Sequence, residues 1–179
     1  MSNFNRGSYE APKLGKRLRI PLPSALARKK PRKEYLYVSN SVIDIFMNTV
    51  KNDANPELEM GALLIGKSGS NVIDEIFIPR NQSRTSIIVD ILDDSDEAVR
   101  LLEFVGDTKY VYGWIHTHPN MSNFFSSVDI ESHMIYQQSV GKEIGFVGLV
   151  CSFNVSDFEV TTKAYMVNSL VDEADVDFV

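Results

Sequence analysis

The sequence predicts an α+β fold in which helices flank a mixed β-sheet. The chain has 179 residues, enough for one domain with modest tails, and 44% of them are hydrophobic, enough for a core. Short β-type runs also alternate irregularly with apolar stripes at helical spacing. We therefore expect one folded domain at residues 34–166, preceded by a basic arm at 1–33 and followed by a loose acidic tail at 167–179.

The arm differs from the rest of the chain in charge. Residues 1–33 contain ten Lys or Arg and one Glu, a balance of +9, so the other residues carry −15 of the total of −6. Its prolines and glycines predict disorder, and its basic runs fit nucleic-acid binding, a nuclear import signal or a solvated tail, with nucleic acid not favoured. No apolar run predicts a transmembrane segment, and one cysteine favours a reducing compartment, cytoplasmic or nuclear.

The elements of the body follow from local patterns. Residues 35–38 form a short β-type run, and Ser39 or Ser41 can cap the next helix, whose apolar stripe continues to Val50. Asn55 and Pro56 end that segment. The remaining pattern predicts, in order, a strand at 60–65, a hairpin turn at 66–70, strands at 72–78 and 86–92, a helix at 93–104, a strand at 109–117, a helix at 127–140 and strands at 143–152 and 158–166.

The most informative segment, residues 113–119, reads Gly-Trp-Ile-His-Thr-His-Pro, and Asp129 follows at the start of a predicted helix. Side chains two residues apart on a strand point to the same face, so His116 and His118 can reach one metal ion. Two imidazoles and a carboxylate are a typical ligand set for catalytic zinc. For a lone His-x-His pair, packing histidines and an Asp that caps a helix are the better interpretation. Here the clustering of these residues favours a metal site.

The wider pattern is Glu59 followed by His-x-His-Pro-x6-Ser-x2-Asp at residues 116–129, and it resembles the JAMM (MPN+) metalloprotease motif. The stretch 113–129 is most similar to the AMSH branch of that family, which cleaves ubiquitin chains. The proteasome-lid and signalosome branches have Tyr-His-Ser-His and Ser-Gly-x-Asp in the matching places. The resemblance covers about residues 35–166 and implies an MPN (JAMM) domain.

The resemblance also implies a role for each residue of the motif. His116, His118 and Asp129 match the ligands of one catalytic Zn²⁺. Glu59 matches the acid–base group that shuttles the proton of the attacking water, and its alternative is a solvated residue at a strand end. Ser126 matches the hydroxyl that stabilises the oxyanion, and it can also cap the helix in a capping box with Asp129.

Substrate binding is assigned to the region around the second histidine. Phe124 matches the aromatic residue that grips ubiquitin in AMSH-type enzymes, although both Phe124 and Phe125 could instead pack on the body. Ser122 and Thr117 are predicted to bind substrate as well. His133, one helical turn after Asp129, is expected to be a surface residue or to lie behind the ligands.

Two departures from the AMSH pattern concern a second, structural zinc. Glu131 stands where AMSH-type enzymes have a histidine ligand, and no Cys-x-His-x-His cluster follows Cys151. We therefore expect a single zinc ion and an altered choice among chain linkages. Cys151 itself lies in an apolar run, which predicts an inert buried thiol.

Together these patterns predict a zinc-dependent isopeptidase, a deubiquitinase that hydrolyses ubiquitin chains or conjugates, with lysine-sixty-three-linked chains as one candidate. The alternatives are a non-catalytic MPN scaffold subunit of a larger complex, or the same hydrolysis on a ubiquitin-like modifier or peptide. Ubiquitin and further subunits of a complex are the expected partners.

Overall fold

The computed structural model describes residues 36–86, 89–90, 95–140, 145–167, 171–174 and 176–179. The predicted basic arm at residues 1–33 lies outside them. The helices are α1 (Asn40–Lys51), α2 (Ser95–Val105) and α3 (Ser127–Ser139). The strands are β1 (Leu36–Val38), β2 (Gly61–Lys67), β3 (Val72–Ile73), β4 (Glu75–Phe77), β5 (Ser83–Arg84), β6 (Val89–Asp90), β7 (Lys109–Pro119), β8 (Val147–Phe153), β9 (Val160–Val167), β10 (Val171–Glu173) and β11 (Val176–Phe178).

A six-stranded mixed sheet in the order β10-β9-β8-β7-β2-β4 forms the centre of the fold. Its only parallel pair among the described strands is β7 with β8, and the other neighbours are antiparallel. Strand β7 is eleven residues long and nearly all of it is buried, as expected for a strand with partners on both edges and cover on both faces. The predicted α+β class with a mixed sheet is confirmed.

Apolar side chains pack on both faces of this sheet. On one face, Val42, Phe46 and Val50 of α1 pack with the tyrosines of β7 and with residues of β2 and β8. On the other face, α2 and α3 contribute to a second cluster, centred on Trp114. None of the helices within the described residues is long and apolar enough to cross a membrane. The candidate site lies against this second cluster.

The boundaries of several elements differ from the predicted ones. Ser39 is the N-cap of α1, but its hydroxyl forms no capping bond and instead lies 2.8 Å from the hydroxyl of Ser41. The predicted strand at 72–78 is two short strands, β3 and β4. Within the predicted strand at 86–92 the structure has only the short strand β6, which pairs antiparallel with β5 just before that range, and residues 87–88 and 91–94 lie outside the described part.

The prediction of a loose acidic tail is wrong for the described residues after 170. Strand β10 pairs antiparallel with β9, and β11 pairs parallel with β1 in a separate sheet of order β11-β1-β3. The amide N–H of Val179 donates to the carbonyl of Val38 at 2.9 Å. Acidic composition favours solvation, but backbone hydrogen bonds to unpaired strand edges give this segment a defined place.

Candidate metal centre and active site

Three side chains converge where the end of β7 meets the start of α3. The Nε2 atoms of His116 and His118 lie 3.2 Å apart. The carboxylate oxygens of Asp129 lie 3.1 Å from Nε2 of His116 and 3.3 Å from Nε2 of His118. All three side chains are buried, and no other set of three metal-ligating groups converges in this way among the described residues.

These distances suit a bound cation. Two ligands that each stand 2.0–2.1 Å from a tetrahedral zinc ion lie about 3.3 Å from one another. The three observed separations, 3.1–3.3 Å, are close to that edge length. Buried nitrogen and carboxylate donors at this spacing fit a metal ion, and His116, His118 and Asp129 could hold one.

A β-bulge turns both histidines toward α3. In the pairing of β2 with β7, Leu64 stands opposite Gly113 and Ile65 opposite Val111, so Tyr112 is an extra residue. Strict alternation would place residues 114, 116 and 118 on the α1 face with Tyr112. The extra residue moves them to the other face, where Trp114 belongs to the α3-side cluster. A side chain at Gly113 would collide with β8, because an added Cβ would lie 2.0 Å from the carbonyl oxygen of Val147.

Asp129 is held by the N-terminus of α3. Ser126 is the N-cap, and its hydroxyl accepts a hydrogen bond from the N–H of Asp129 at 3.1 Å, while the Asp129 carboxylate accepts one from the N–H of Ser126 at 2.6 Å. This is the predicted capping box. The carboxylate therefore has a fixed orientation, with its oxygens shared between the helix end and the two histidines.

Aromatic rings support His116 from behind. Its imidazole stacks on the indole of Trp114, with ring centres 4.3 Å apart and an interplanar angle of 12°. The indole N–H donates to Nδ1 of His133 at 3.1 Å, and burial lowers the pKa of His133 to about 4, so that ring is neutral. His133 therefore lies behind the ligands, which was one of the two predicted positions, and not on the surface. Trp114 was not predicted as part of the site, although its position two residues before His116 puts it on the same face.

Glu59 lies beside the cluster, immediately before β2. One of its carboxylate oxygens is 3.6 Å from Nε2 of His118, and only 1% of the residue is exposed. Neither oxygen has a hydrogen-bond partner within the described part of the chain. Burial raises the pKa of Glu59 to about 8, against a smaller opposing effect of His118. A carboxyl group so placed is costly to keep as an anion without a nearby cation.

The other ionisable groups show how strongly the site attracts positive charge. Burial alone would raise the pKa of Asp129, but hydrogen bonds from His116 and His118 hold it well below its usual range. Burial works against a charged His118, yet its bond to Asp129 and the nearby Glu59 raise its pKa. For His116, burial prevails and lowers the pKa. The cluster therefore contains an anionic carboxylate and needs a cation, which is either a proton or a metal ion.

The two phenylalanines after the histidines have opposite environments. Phe124 is 46% exposed, and its ring centre is 5.3 Å from that of His118. Phe125 is buried and stacks on Tyr165 with ring centres 5.0 Å apart. Ser122 is exposed beside an open groove of about 310 Å³, and its carbonyl oxygen is 3.4 Å from Nδ1 of His118. An N–H at Nδ1 directed at this carbonyl leaves Nε2 of His118 free for the centre.

The structure corrects the prediction that Thr117 binds substrate. This residue is fully buried, and its hydroxyl accepts a hydrogen bond from the N–H of Met60 at 2.8 Å. Its own N–H donates to the carbonyl of Met60 at 2.9 Å. Thr117 alternates with the two histidines and therefore faces the α1 side of the sheet, where it ties the segment that carries Glu59 to β7.

Two further predicted residues lie away from the centre. Cys151 is buried in the α1-side cluster, and burial raises the pKa of its thiol to about 12, which fits an inert thiol. Glu131 is exposed on α3, and the expectation of a single zinc stays a prediction. Arg84 was not among the predicted site residues. Its contacts with residues 53–59 join positions up to 31 residues apart, so no local sequence pattern indicates them.

Known proteins are similar to the chain over part of its length. The chain is 31% identical to AMSH-like ubiquitin thioesterase 1 of Arabidopsis thaliana over 118 residues, which are 63% of this chain and 22% of that protein. It is 38% identical over 66 residues to the lysine-63-specific deubiquitinase BRCC36 of Xenopus tropicalis, over 37% of this chain and 24% of that one. The chain thus spans about a quarter of the length of these two relatives.

A solved structure shows the same fold. The solution structure of a protein from Desulfitobacterium hafniense matches with a TM-score of 0.58 at 14% identity, over 80% of this chain and 92% of the other. A family model described as JAB1/Mov34/MPN/PAD-1 ubiquitin protease matches residues 34–141, which is more than half of the chain. The predicted MPN fold and the likeness to AMSH-type proteins are therefore confirmed, and the chain belongs to the JAB1/Mov34/MPN/PAD-1 ubiquitin protease family.

Proposed function

We propose that the protein is a zinc-dependent isopeptidase that hydrolyses isopeptide bonds in ubiquitin chains or conjugates. One observation carries the proposal: a buried His116–His118–Asp129 cluster with the spacing of a metal's ligands stands next to Glu59, whose carboxylate has no hydrogen-bond partner in the described part of the chain. Family membership and relatives named as deubiquitinases support the choice of substrate.

The two histidines and Asp129 would hold the zinc ion through Nε2 atoms and a carboxylate oxygen. Zinc bound there would supply Lewis acidity, which polarises the scissile carbonyl and lowers the pKa of water toward about 7. The capping box keeps Asp129 oriented, and the indole stacked on His116 restricts the rotation of that imidazole. A preorganised ligand set of this kind binds metal with little rearrangement of the protein.

Glu59 is proposed as the group that moves the proton. Its carboxylate faces the cluster from the side, 3.6 Å from Nε2 of His118, and neither of its oxygens has a hydrogen-bond partner in the described part of the chain. A pKa raised by burial suits a group that must take up a proton and release it again near neutral pH. Glu59 would accept the proton of the attacking water and return it to the departing lysine amine.

Ser126 is proposed to stabilise the negative charge that develops on the carbonyl oxygen. Its hydroxyl already accepts the N–H of Asp129, and it retains a proton that it can donate toward the centre. A single donor of this kind contributes about 10²–10³-fold to the rate in hydrolases. The capping role uses a lone pair of the hydroxyl oxygen and the proposed catalytic role uses its proton, so both can operate together.

The substrate surface is proposed to lie on the loop between β7 and α3. The exposed ring of Phe124 stands next to His118 and could cover the ubiquitin segment that carries the scissile bond. Ser122 lines the adjacent groove and is kept as a substrate contact. The name of the BRCC36 relative supports ubiquitin chains linked through lysine 63 as the substrate. The protein is also proposed to act in the cytoplasm or the nucleus.

The test is a panel of ubiquitin dimers of every linkage, incubated with zinc-loaded protein with and without a chelator. We expect cleavage of at least one dimer, abolished by the chelator and restored by zinc. A zinc-loaded protein that cleaves no dimer would support the scaffold alternative if it assembles with other subunits. Cleavage of a ubiquitin-like modifier instead of ubiquitin would keep the chemistry and change the substrate.

A further inference from the structure

The carboxylate of Glu59 is buried and lies 3.6 Å from Nε2 of His118. Its side chain forms no hydrogen bond in the described part of the chain, yet a proton-transfer group must be positioned to within a fraction of an ångström. Residues 52–60 form an irregular segment between α1 and β2, so no helix or strand fixes residue 59. The contacts that hold this segment therefore determine where the carboxylate lies.

Arg84 makes most of those contacts. Its Nε–H donates to the carbonyl of Glu59 at 2.7 Å, and one terminal nitrogen donates to the carbonyls of Leu58 at 3.1 Å and Asn55 at 3.2 Å. The other terminal nitrogen pairs with the carboxylate of Asp53 at 3.0 Å. Four of the five N–H groups of the guanidinium are thus directed at one segment of seven residues.

Neighbouring contacts hold residue 59 from its other sides. The N–H of Glu59 donates to the carbonyl of Thr85 at 2.8 Å, and the N–H of Met60 donates to the Thr117 hydroxyl on β7 at 2.8 Å. The N–H of Gly61 donates to the side-chain oxygen of Gln82 at 2.9 Å. Residues 82–85 and β7 thus hold the backbone of Glu59 between them.

We infer that Arg84 is a positioning residue, which places the Glu59 carboxylate against the metal centre through the backbone of residues 53–59. The inference rests on the proposed function, because it assigns Arg84 a part in that reaction. Arg84 touches neither the ligand set nor the groove beside Ser122 in the described contacts. Its loss should therefore lower the rate of proton transfer while metal and substrate binding persist.

Lysine cannot reproduce these contacts. An ammonium group is compact and lacks the planar fork that reaches several carbonyls and a carboxylate at once. Arg84→Lys should keep the charge opposite Asp53 but lose most of the bonds to the carbonyls. The conservative variant is therefore expected to fall between wild type and Arg84→Ala.

The test compares Arg84→Ala and Arg84→Lys with Arg80→Ala, which removes an exposed arginine four residues before Arg84. Each zinc-loaded variant is assayed on the best-cleaved ubiquitin dimer, with zinc content measured in parallel. We expect kcat to fall about 10–100-fold in Arg84→Ala, with KM within about twofold and full zinc content. Arg84→Lys should be intermediate and Arg80→Ala like wild type.

A second comparison uses the Glu59→Gln background, where no carboxylate is left to position. There, Arg84→Ala should cause no further loss of rate, whereas a general structural role would add its own loss. Unchanged kcat in Arg84→Ala, or losses that multiply in the double variant, would overturn the inference while the proposed function stands. If Arg84→Ala does not fold, wild-type kcat in Arg84→Lys would overturn it. Zinc-loaded wild type that cleaves no dimer would overturn the proposed function and the inference together.

Discussion

Replacing Glu59 with Gln should have opposite effects on activity and on stability. The amide has nearly the shape of the carboxyl group but cannot take up a proton at neutral pH, so the proposed acid–base step is lost. It is also neutral at every pH in both the folded and the unfolded protein, so folding no longer requires a carboxyl group to stay protonated beside Asp129. Because Glu59 donates no ligand atom in the proposed centre, the variant should still bind zinc.

The stability effect follows from the raised pKa. In the unfolded chain this carboxyl has a pKa near 4.5, and in the folded protein burial raises it to about 8. A group with a raised folded pKa contributes its full stability below pH 4.5 and loses it as pH rises toward 8. At 1.36 kcal/mol per pH unit, the metal-free protein loses about 3 kcal/mol of stability by pH 7, because Glu59 ionises in the unfolded chain but keeps its proton in the folded protein. Metal-free Glu59→Gln should therefore be more stable than wild type by about that amount.

Two measurements with one control check this prediction. Denaturant unfolding in excess chelator at pH 4.5, 6 and 8 should show the gap between Glu59→Gln and wild type widening with pH. Zinc-loaded Glu59→Gln should hydrolyse a ubiquitin dimer about 10²–10⁴-fold more slowly, which corresponds to about 2.7–5.5 kcal/mol in the barrier. The control is Glu57→Gln at an exposed position two residues earlier, which should change neither quantity. Undiminished turnover by Glu59→Gln would refute the mechanism.

Four further predictions concern the metal centre and the residues that support it. Asp129→Ala should lose bound zinc, seen by elemental analysis, and about 1 kcal/mol of stability with the capping box, while full zinc content would contradict the ligand set. Ser126→Ala should keep zinc and lose about 10²–10³-fold in kcat, so wild-type kcat would exclude its oxyanion role. Gly113→Ala should be destabilised by about 1–3 kcal/mol in denaturant unfolding, because its Cβ would lie 2.0 Å from the carbonyl oxygen of Val147. Purified wild type should contain one zinc per chain by elemental analysis. Two zinc ions per chain would contradict the inference from Glu131 that the second, structural zinc is absent.

The parts of the site that the sequence could predict depend on local spacing. The alternation of a strand brings His116 and His118 to one face, and the three-residue interval from Ser126 to Asp129 is that of a capping box. Both relations are set within a few residues of the chain. The family motif added the link to Glu59, which lies far away in sequence.

The parts that could not be predicted depend on partners distant in sequence. The bulge at Tyr112 exists only through the register of β7 against β2, so the face on which the histidines lie could not be derived from alternation alone. Adjacent aromatic residues give no sign of which ring turns inward, and the structure buries Phe125 while exposing Phe124. The contacts of Arg84 reach back 25–31 residues, and no periodicity indicates them.

The proposed function requires that isopeptide bonds are hydrolysed only when His116, His118 and Asp129 hold a metal ion. The most direct measurement is the initial rate of ubiquitin-dimer cleavage by metal-free protein as zinc is added in fractions of an equivalent. We expect no cleavage without zinc and a linear rise in the rate that ends at one zinc per chain. Cleavage that is independent of zinc, or a zinc-saturated protein that cleaves no dimer, would contradict it.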